Sequence, residues 1–127
     1  MKTIISTPKA PSAIGPYNQA TAFDKLIFTS GQIALDSTTM EIVTGGVQEQ
    51  TKQVMENLKA VLEEAGSSFE NVLKTTCYLS DMDNFVAFNE IYGQYFKGET
   101  APARSTVAVK TLPKNVLVEV DTIAFKN

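Results

Sequence analysis

The last third of the chain constrains the fold most. From Ala101 to Ala124 it reads APARSTVAVKTLPKNVLVEVDTIA, two runs of period-two alternation parted by a Pro-containing loop. Both phases of that alternation are largely apolar. Val107 and Val109 lie opposite Thr106 and Ala108, and Val116, Val118 and Val120 lie opposite Leu117 and Ile123. Strands of this kind are covered on both faces. The remaining sequence predicts only two helices, which cover one face of a five- or six-stranded sheet. The other face then needs partner chains, so the sequence predicts an oligomer.

The same stretch holds Arg104, the one arginine in the chain, every other basic residue being a lysine. A guanidinium presents a rigid fork of donors that matches a carboxylate or phosphate at two points, which an ammonium cannot do. Residue type alone leaves two readings open, a two-point anion clamp and an ion pair at a surface or interface.

Composition narrows the chemistry further. At 127 residues the expectation is one domain, 1–127, with a core large enough to need no covalent staples. A net charge of −3 argues against nucleic acid as a partner, since phosphate binding rests on clustered positive charge. There is no histidine and a single cysteine, Cys77. Ser-His-Asp and Cys-His systems are excluded, as are histidine metal sites, a thiolate zinc site within the chain and an intrachain disulfide. The N-terminal MKTIISTPKAPSAIG lacks the apolar run of a signal peptide, and no stretch reaches membrane-spanning length. The expected location is the cytoplasm. Chemistry is left to Arg, carboxylates, Tyr, Lys, Ser/Thr, Asn, backbone groups and water.

Along the chain, residues 1–5 predict a short edge strand, and Ser6–Tyr17, with three prolines and Gly15, predicts a bent loop. Tyr17 follows Gly-Pro and is either an exposed aromatic on a restrained backbone or a hydrophobic plug. Asn18–Ala22 and Lys25–Ile33 predict an antiparallel pair turning near Phe23-Asp24. Gly31 within that pattern points to a bulge, to close approach of another group, or to a plain strand end. Asp36–Gly46 predicts a polar loop with a short strand at 41–43. Val47–Ala65 predicts a helix, its stripe made by Val47, Thr51, Val54, Leu58, Val61, Leu62 and Ala65 and its end marked by Gly66. Val72–Leu79 predicts a strand with Leu73, Thr75, Cys77 and Leu79 on one face. Asp81–Phe96 predicts a second helix capped by Asp81 or Asp83, with Phe85, Phe88, Tyr92, Tyr95 and Phe96 inward. Asn89 shares that side, where an unpaired amide costs about 1–3 kcal/mol, so it braces a loop or reaches a ligand.

GPYNQ at 15–19, TSGQI at 29–33, FNEIYGQYF at 88–96, PARS at 102–105 and LPKNVLVEV at 112–120 occur in order along the chain. Together they resemble the Rid (reactive intermediate deaminase) family, also called the YjgF/UK114 family. The resemblance implies a chorismate-mutase-like α+β fold, a mixed sheet with two helices on one face. It also implies a homotrimer with a central barrel and clefts between neighbours. The implied activity is cofactor- and metal-independent hydrolysis of 2-aminoacrylate/2-iminopropanoate and 2-iminobutanoate to 2-oxo acids and ammonia. The alternative is a trimer that binds small carboxylates, or a partner protein, without turnover. By resemblance Arg104 holds the substrate carboxylate, and Tyr17 and Asn89 lie at the cleft. Backbone around Gly31, with Ser30, adds hydrogen bonds. Glu119 orients water or shuttles its proton, unless it is a buried ion-pair partner. Many members carry a cysteine two residues after the arginine, where this chain has Thr106. A role resting on that thiol is not carried over, while one resting on the backbone is.

One geometric difficulty follows. If the loop 111–115 joins two adjacent strands symmetrically, Arg104 faces Thr122 and Glu119 faces Val107 on the opposite side. A register shift, a bulge or a strand-end position is then needed to unite Arg104 with Glu119.

Overall fold

The two terminal apolar runs form strands, but those strands do not pair with each other. In the structure, a computed structural model describing residues 1–127, β5 (Ala103–Ala108) and β6 (Val118–Phe125) are separated by β4 (Val72–Leu79). β4 runs antiparallel to β6 and parallel to β5. The parallel pairing follows from connectivity, because α2 (Phe85–Tyr95) lies between β4 and β5 in the chain and a helical crossover returns the next strand in the same direction. With β1 (Thr3–Ile5), β2 (Ala20–Phe23) and β3 (Leu26–Thr29), the sheet has six strands in the order β1-β2-β3-β6-β4-β5. The expected Arg104–Thr122 and Glu119–Val107 rows survive with one strand interposed. Arg104 is level with Thr75 and Thr75 with Thr122, while Val107 is level with Tyr78 and Tyr78 with Glu119.

α1 (Val47–Glu64) forms where expected and buries Val54, Met55, Leu58, Val61 and Leu62 completely. Each such side chain contributes about 1.5–3 kcal/mol relative to exposure. The helix starts where the Glu49 carboxylate accepts from the Gly46 N–H at 2.7 Å. It ends in a Schellman arrangement, with Gly66 N–H on Glu63 O (3.0 Å) and Ser67 N–H on Leu62 O (2.9 Å). That geometry places Gly66 at φ +81°, where a Cβ is disfavoured.

Two expectations need correction at the margins. A bulge between Val72 and Lys74 puts Val72 on the buried face with Thr75, Cys77 and Leu79, and leaves Leu73 48% exposed. The segment expected as one helix from Asp81 opens with a 3-10 turn at Met82–Asn84, and α2 proper begins at Phe85. Asp81 rather than Asp83 is the cap, its Oδ1 accepting from the Asp83 N–H at 2.8 Å.

Alternation decides which side of the sheet each residue faces. Ile27, Thr75, Cys77, Leu79, Val118, Val120, Thr122 and Ala124 are buried on the face toward the helices. The opposite face carries no element of this chain. On it Ile4, Phe23, Leu26, Phe28 and Val107 are between 43% and 62% exposed. No helix is long and apolar enough to cross a membrane.

Candidate active site

Glu119 lies on β6 between buried Val118 and Val120, so alternation turns it to the uncovered face. There it meets the continuation of β3, where Gln32 and Val120 exchange backbone hydrogen bonds at 2.9 and 3.2 Å. The pairing draws Gly31 onto the Glu119 side chain. A Cβ built on Gly31 would lie 2.8 Å from the Glu119 carboxyl carbon. Of the readings open for this glycine, close approach is the one realised.

Glu119, Gly31, Ser30 and Tyr17 line one cavity of about 620 Å³, together with Ile14, Ile33, Met40 and Lys114. Tyr17 is 51% exposed, so its ring is not a core plug. The loop carrying it is held by Gln19, which is buried. Gln19 donates through Nε2 to Thr7 O (3.0 Å), Ala10 O (3.3 Å) and Pro11 O (2.7 Å), and accepts from Thr7 N–H at 2.6 Å. Ser30 Oγ donates to Asn18 O at 2.5 Å and Ser30 N–H to Gln19 O at 2.9 Å. Its hydroxyl proton is therefore engaged in holding the loop. The Glu119 carboxyl titrates above the ordinary range, first because burial disfavours its charge and second because Asp121 lies close on the same face.

Arg104, Asn89 and Thr106 are elsewhere. Arg104 pairs with Thr75 and Thr106 with Cys77, so both face the helix side at the sheet edge. Arg104 Nη1 donates to Asn89 Oδ1 at 2.7 Å. The guanidinium carbon sits 4.7 Å from the Tyr92 ring centre and 5.3 Å from that of Phe85. Asn89 thus braces the arginine, and no carboxylate of this chain neutralises the fork. Thr106 Oγ1 is buried without a hydrogen-bond partner. Cys77 beside it is buried, and desolvation pushes its thiol up to about 11, which removes it as a nucleophile.

The expected residues therefore form two clusters on opposite faces of the sheet. Arg104 and Glu119 are two strands and three residues apart, roughly 14 Å between backbones from ordinary strand spacings. No register shift or bulge unites them within one chain. Sequence reasoning missed Gln19, a buried amide inside the GPYNQ run, and Asp121, two residues beyond Glu119 on the same face. Their spacing was readable, their partners were not.

Two consequences can be measured. Gly31→Ala needs no unusual backbone angle but displaces the end of the Glu119 side chain. The expected result is a stability change of under about 1 kcal/mol with loss of most of whatever activity Glu119 supports. Urea unfolding and turnover assayed together test it. Glu119→Gln removes a carboxyl whose proton is held more tightly in the folded than in the unfolded chain. The wild type is penalised once that group ionises, so the variant should be the more stable at neutral pH. The difference should vanish as pH falls below the unfolded carboxylate range. Denaturation at pH 7 and pH 4 checks the sign.

With its mixed six-stranded sheet, two covering helices and paired clusters, the molecule belongs to a recognisable class of small α+β proteins. Residues 7–126 match the endoribonuclease L-PSP family. A RutC family protein of Synechocystis is 59% identical over 122 residues, covering 95% of this chain and 94% of that protein. A mouse protein named 2-iminobutanoate/2-iminopropanoate deaminase is 48% identical over 126 residues, covering 99% and 93%. The crystal structure of a Rid family protein from Yersinia pestis superimposes with a TM-score of 0.95 at 45% identity, covering 98% and 99%. The chain belongs to this family, the Rid/RutC or L-PSP family.

Proposed function

We propose that the chain hydrolyses 2-iminobutanoate, 2-iminopropanoate and their enamine tautomers to 2-oxo acids and ammonia, as a homotrimer with sites between neighbouring subunits. The observation that carries this reading is the division of the site. An uncompensated guanidinium lies on one face and a carboxyl of raised proton affinity on the other, which favours a site completed by two copies over one built within a single chain. The uncovered sheet face, with Ile4, Phe23, Leu26, Phe28 and Val107 exposed, supplies the apolar area for that contact. The deaminase name of the mouse relative supports the substrate class.

In this reading the Arg104 fork, steadied by Asn89, holds the substrate carboxylate by charge-assisted hydrogen bonds. Glu119 of the neighbouring copy, whose raised proton affinity suits it to proton exchange, gives a proton to the imine nitrogen and makes the adjacent carbon electrophilic. The resulting carboxylate takes a proton from the attacking water, forming the carbinolamine. Returning that proton to the carbinolamine nitrogen lets ammonia leave, while the hydroxyl proton passes to the Glu119 carboxylate as the carbonyl forms, which restores the protonated acid. Tyr17 and the backbone at Gly31 and Ser30 bound the reacting atoms on the Glu119 side, and Thr106 lies on the Arg104 side. The reaction calls for no redox or electrophilic cofactor. Imines hydrolyse readily, so positioning and proton handling suffice. A nuclease reading lacks support in the charge, which is −3 with one arginine.

The test is a coupled assay. A dehydratase or an amino-acid oxidase generates the imine, and 2-oxo acid formation is followed with and without the protein. Acceleration is expected. Binding of a 2-oxo acid with no acceleration for any small imine would instead leave a non-catalytic carboxylate-binding trimer.

A further inference from the structure

Glu119 does not stand alone on its face of the sheet. Asp121 is the next residue of β6 turned the same way, about 7 Å along the strand. From β4, Tyr78 is the cross-strand neighbour of Glu119, and its hydroxyl donates to Asp121 Oδ2 at 3.3 Å. Lys74, also on β4, lowers the proton affinity of Asp121 through its charge. The loops around the cavity add Tyr17 and Lys114, β3 adds no ionisable side chain, and Arg104 is on the far side of the sheet.

The two carboxyls are treated unequally. Burial raises both. Asp121 receives a phenol hydrogen bond and a nearby ammonium, both favouring its ionised form. Glu119 receives neither, and the charge of Asp121 disfavours its ionisation. Paired acids pushed apart by their surroundings divide the roles of proton holder and fixed charge. The pair titrates jointly, so the first proton lost comes from the better stabilised member.

We propose that Asp121 is a positioning residue for proton transfer: hydrogen-bonded to Tyr78 and next to Glu119 on the same face of β6, it directs proton exchange to the Glu119 carboxyl. The inference rests on the deaminase reading for the destination of that proton, the imine nitrogen, but the pairing itself is independent of turnover. Asp121 touches no reacting atom. It acts through Glu119, and its conservative replacement should preserve the effect.

The test is a carbon-13 NMR titration of the Glu119 side-chain carboxyl in the full-length protein, run beside the pH–rate profile with 2-iminobutanoate. In Asp121→Asn the Glu119 midpoint should fall by about half a pH unit, the displacement expected from removing a unit charge at this distance in a water-like dielectric. The limb of the pH–rate profile that reports Glu119 should move to lower pH by the same amount. Asp121→Glu should restore both. Should Asp121→Asn fail to fold, Tyr78→Phe keeps both carboxyls and is read at Asp121, whose midpoint should rise as its hydrogen bond is lost. A Glu119 midpoint that stays put in a folded Asp121→Asn, or an Asp121 midpoint that stays put in Tyr78→Phe, overturns the pairing. A midpoint that moves in a protein turning over no imine upholds the pairing and overturns the deaminase reading instead.

Discussion

Arg104→Ala is expected to lower kcat/KM for 2-iminobutanoate by two to three orders of magnitude while leaving the melting temperature nearly unchanged. The side chain is solvent-exposed at an edge strand and buries little of its own surface. What is lost is a two-point contact with a carboxylate, and hydrogen bonds to charged groups contribute about 1.5–3 kcal/mol each. Asn89 is left with an unpaired oxygen at a position open to water, which costs little. Arg104→Lys should fall between the two, because the ammonium retains the charge but cannot grip Asn89 and a carboxylate together. Turnover of Arg104→Ala at the wild-type rate would falsify the clamp. Loss of turnover with equal loss of folding stability would make the arginine structural, so both quantities belong in the same experiment.

The second large effect is recovery of activity from two inactive proteins. Arg104→Ala and Glu119→Gln should each be inactive as homo-oligomers. The two residues lie on opposite faces of one sheet, so in the proposed trimer each site takes its guanidinium from one copy and its carboxyl from the next. Unfolding and refolding the two variants together at equal ratio should restore roughly a quarter of wild-type turnover, the random share of sites with both partners intact in a cyclic trimer. Mixing without subunit exchange should restore none, which is the control. No recovery from a refolded mixture shown to contain hybrid trimers would mean that each chain builds its own site.

Much of the local structure was legible from residue order. Periodicity located the six strands and two helices and Gly66 marked the end of α1, but the short strand expected at 41–43 is only a single bridge between Leu35 and Ile42, and of the readings open for Gly31 the structure realises close approach, by the Glu119 side chain. The bulge beside Leu73 was not legible. It depends on how β4 meets β6, and the local alternation at 72–74 continues undisturbed in the sequence. Nor was the separation of β5 from β6. A loop of suitable length between two apolar runs looks like a hairpin, yet β4 takes the place between them because the chain routes through α2 before β5. The expected residue rows still appeared, one strand apart, since pairing through an intermediate strand transmits register without change.

Residue types bounded the chemistry open to this protein: one guanidinium, no imidazole and a carboxyl set among valines exclude imidazole-based catalysis and point to the anion gripping and proton transfer proposed above. The three-dimensional arrangement decided where those groups lie relative to one another. Side-chain direction in a sheet depends on the parity of a residue's place in the ladder, which is a property of all the strands together. That parity sent Arg104 to the covered side and Glu119 to the open one, where Asp121 and Tyr78 are its neighbours.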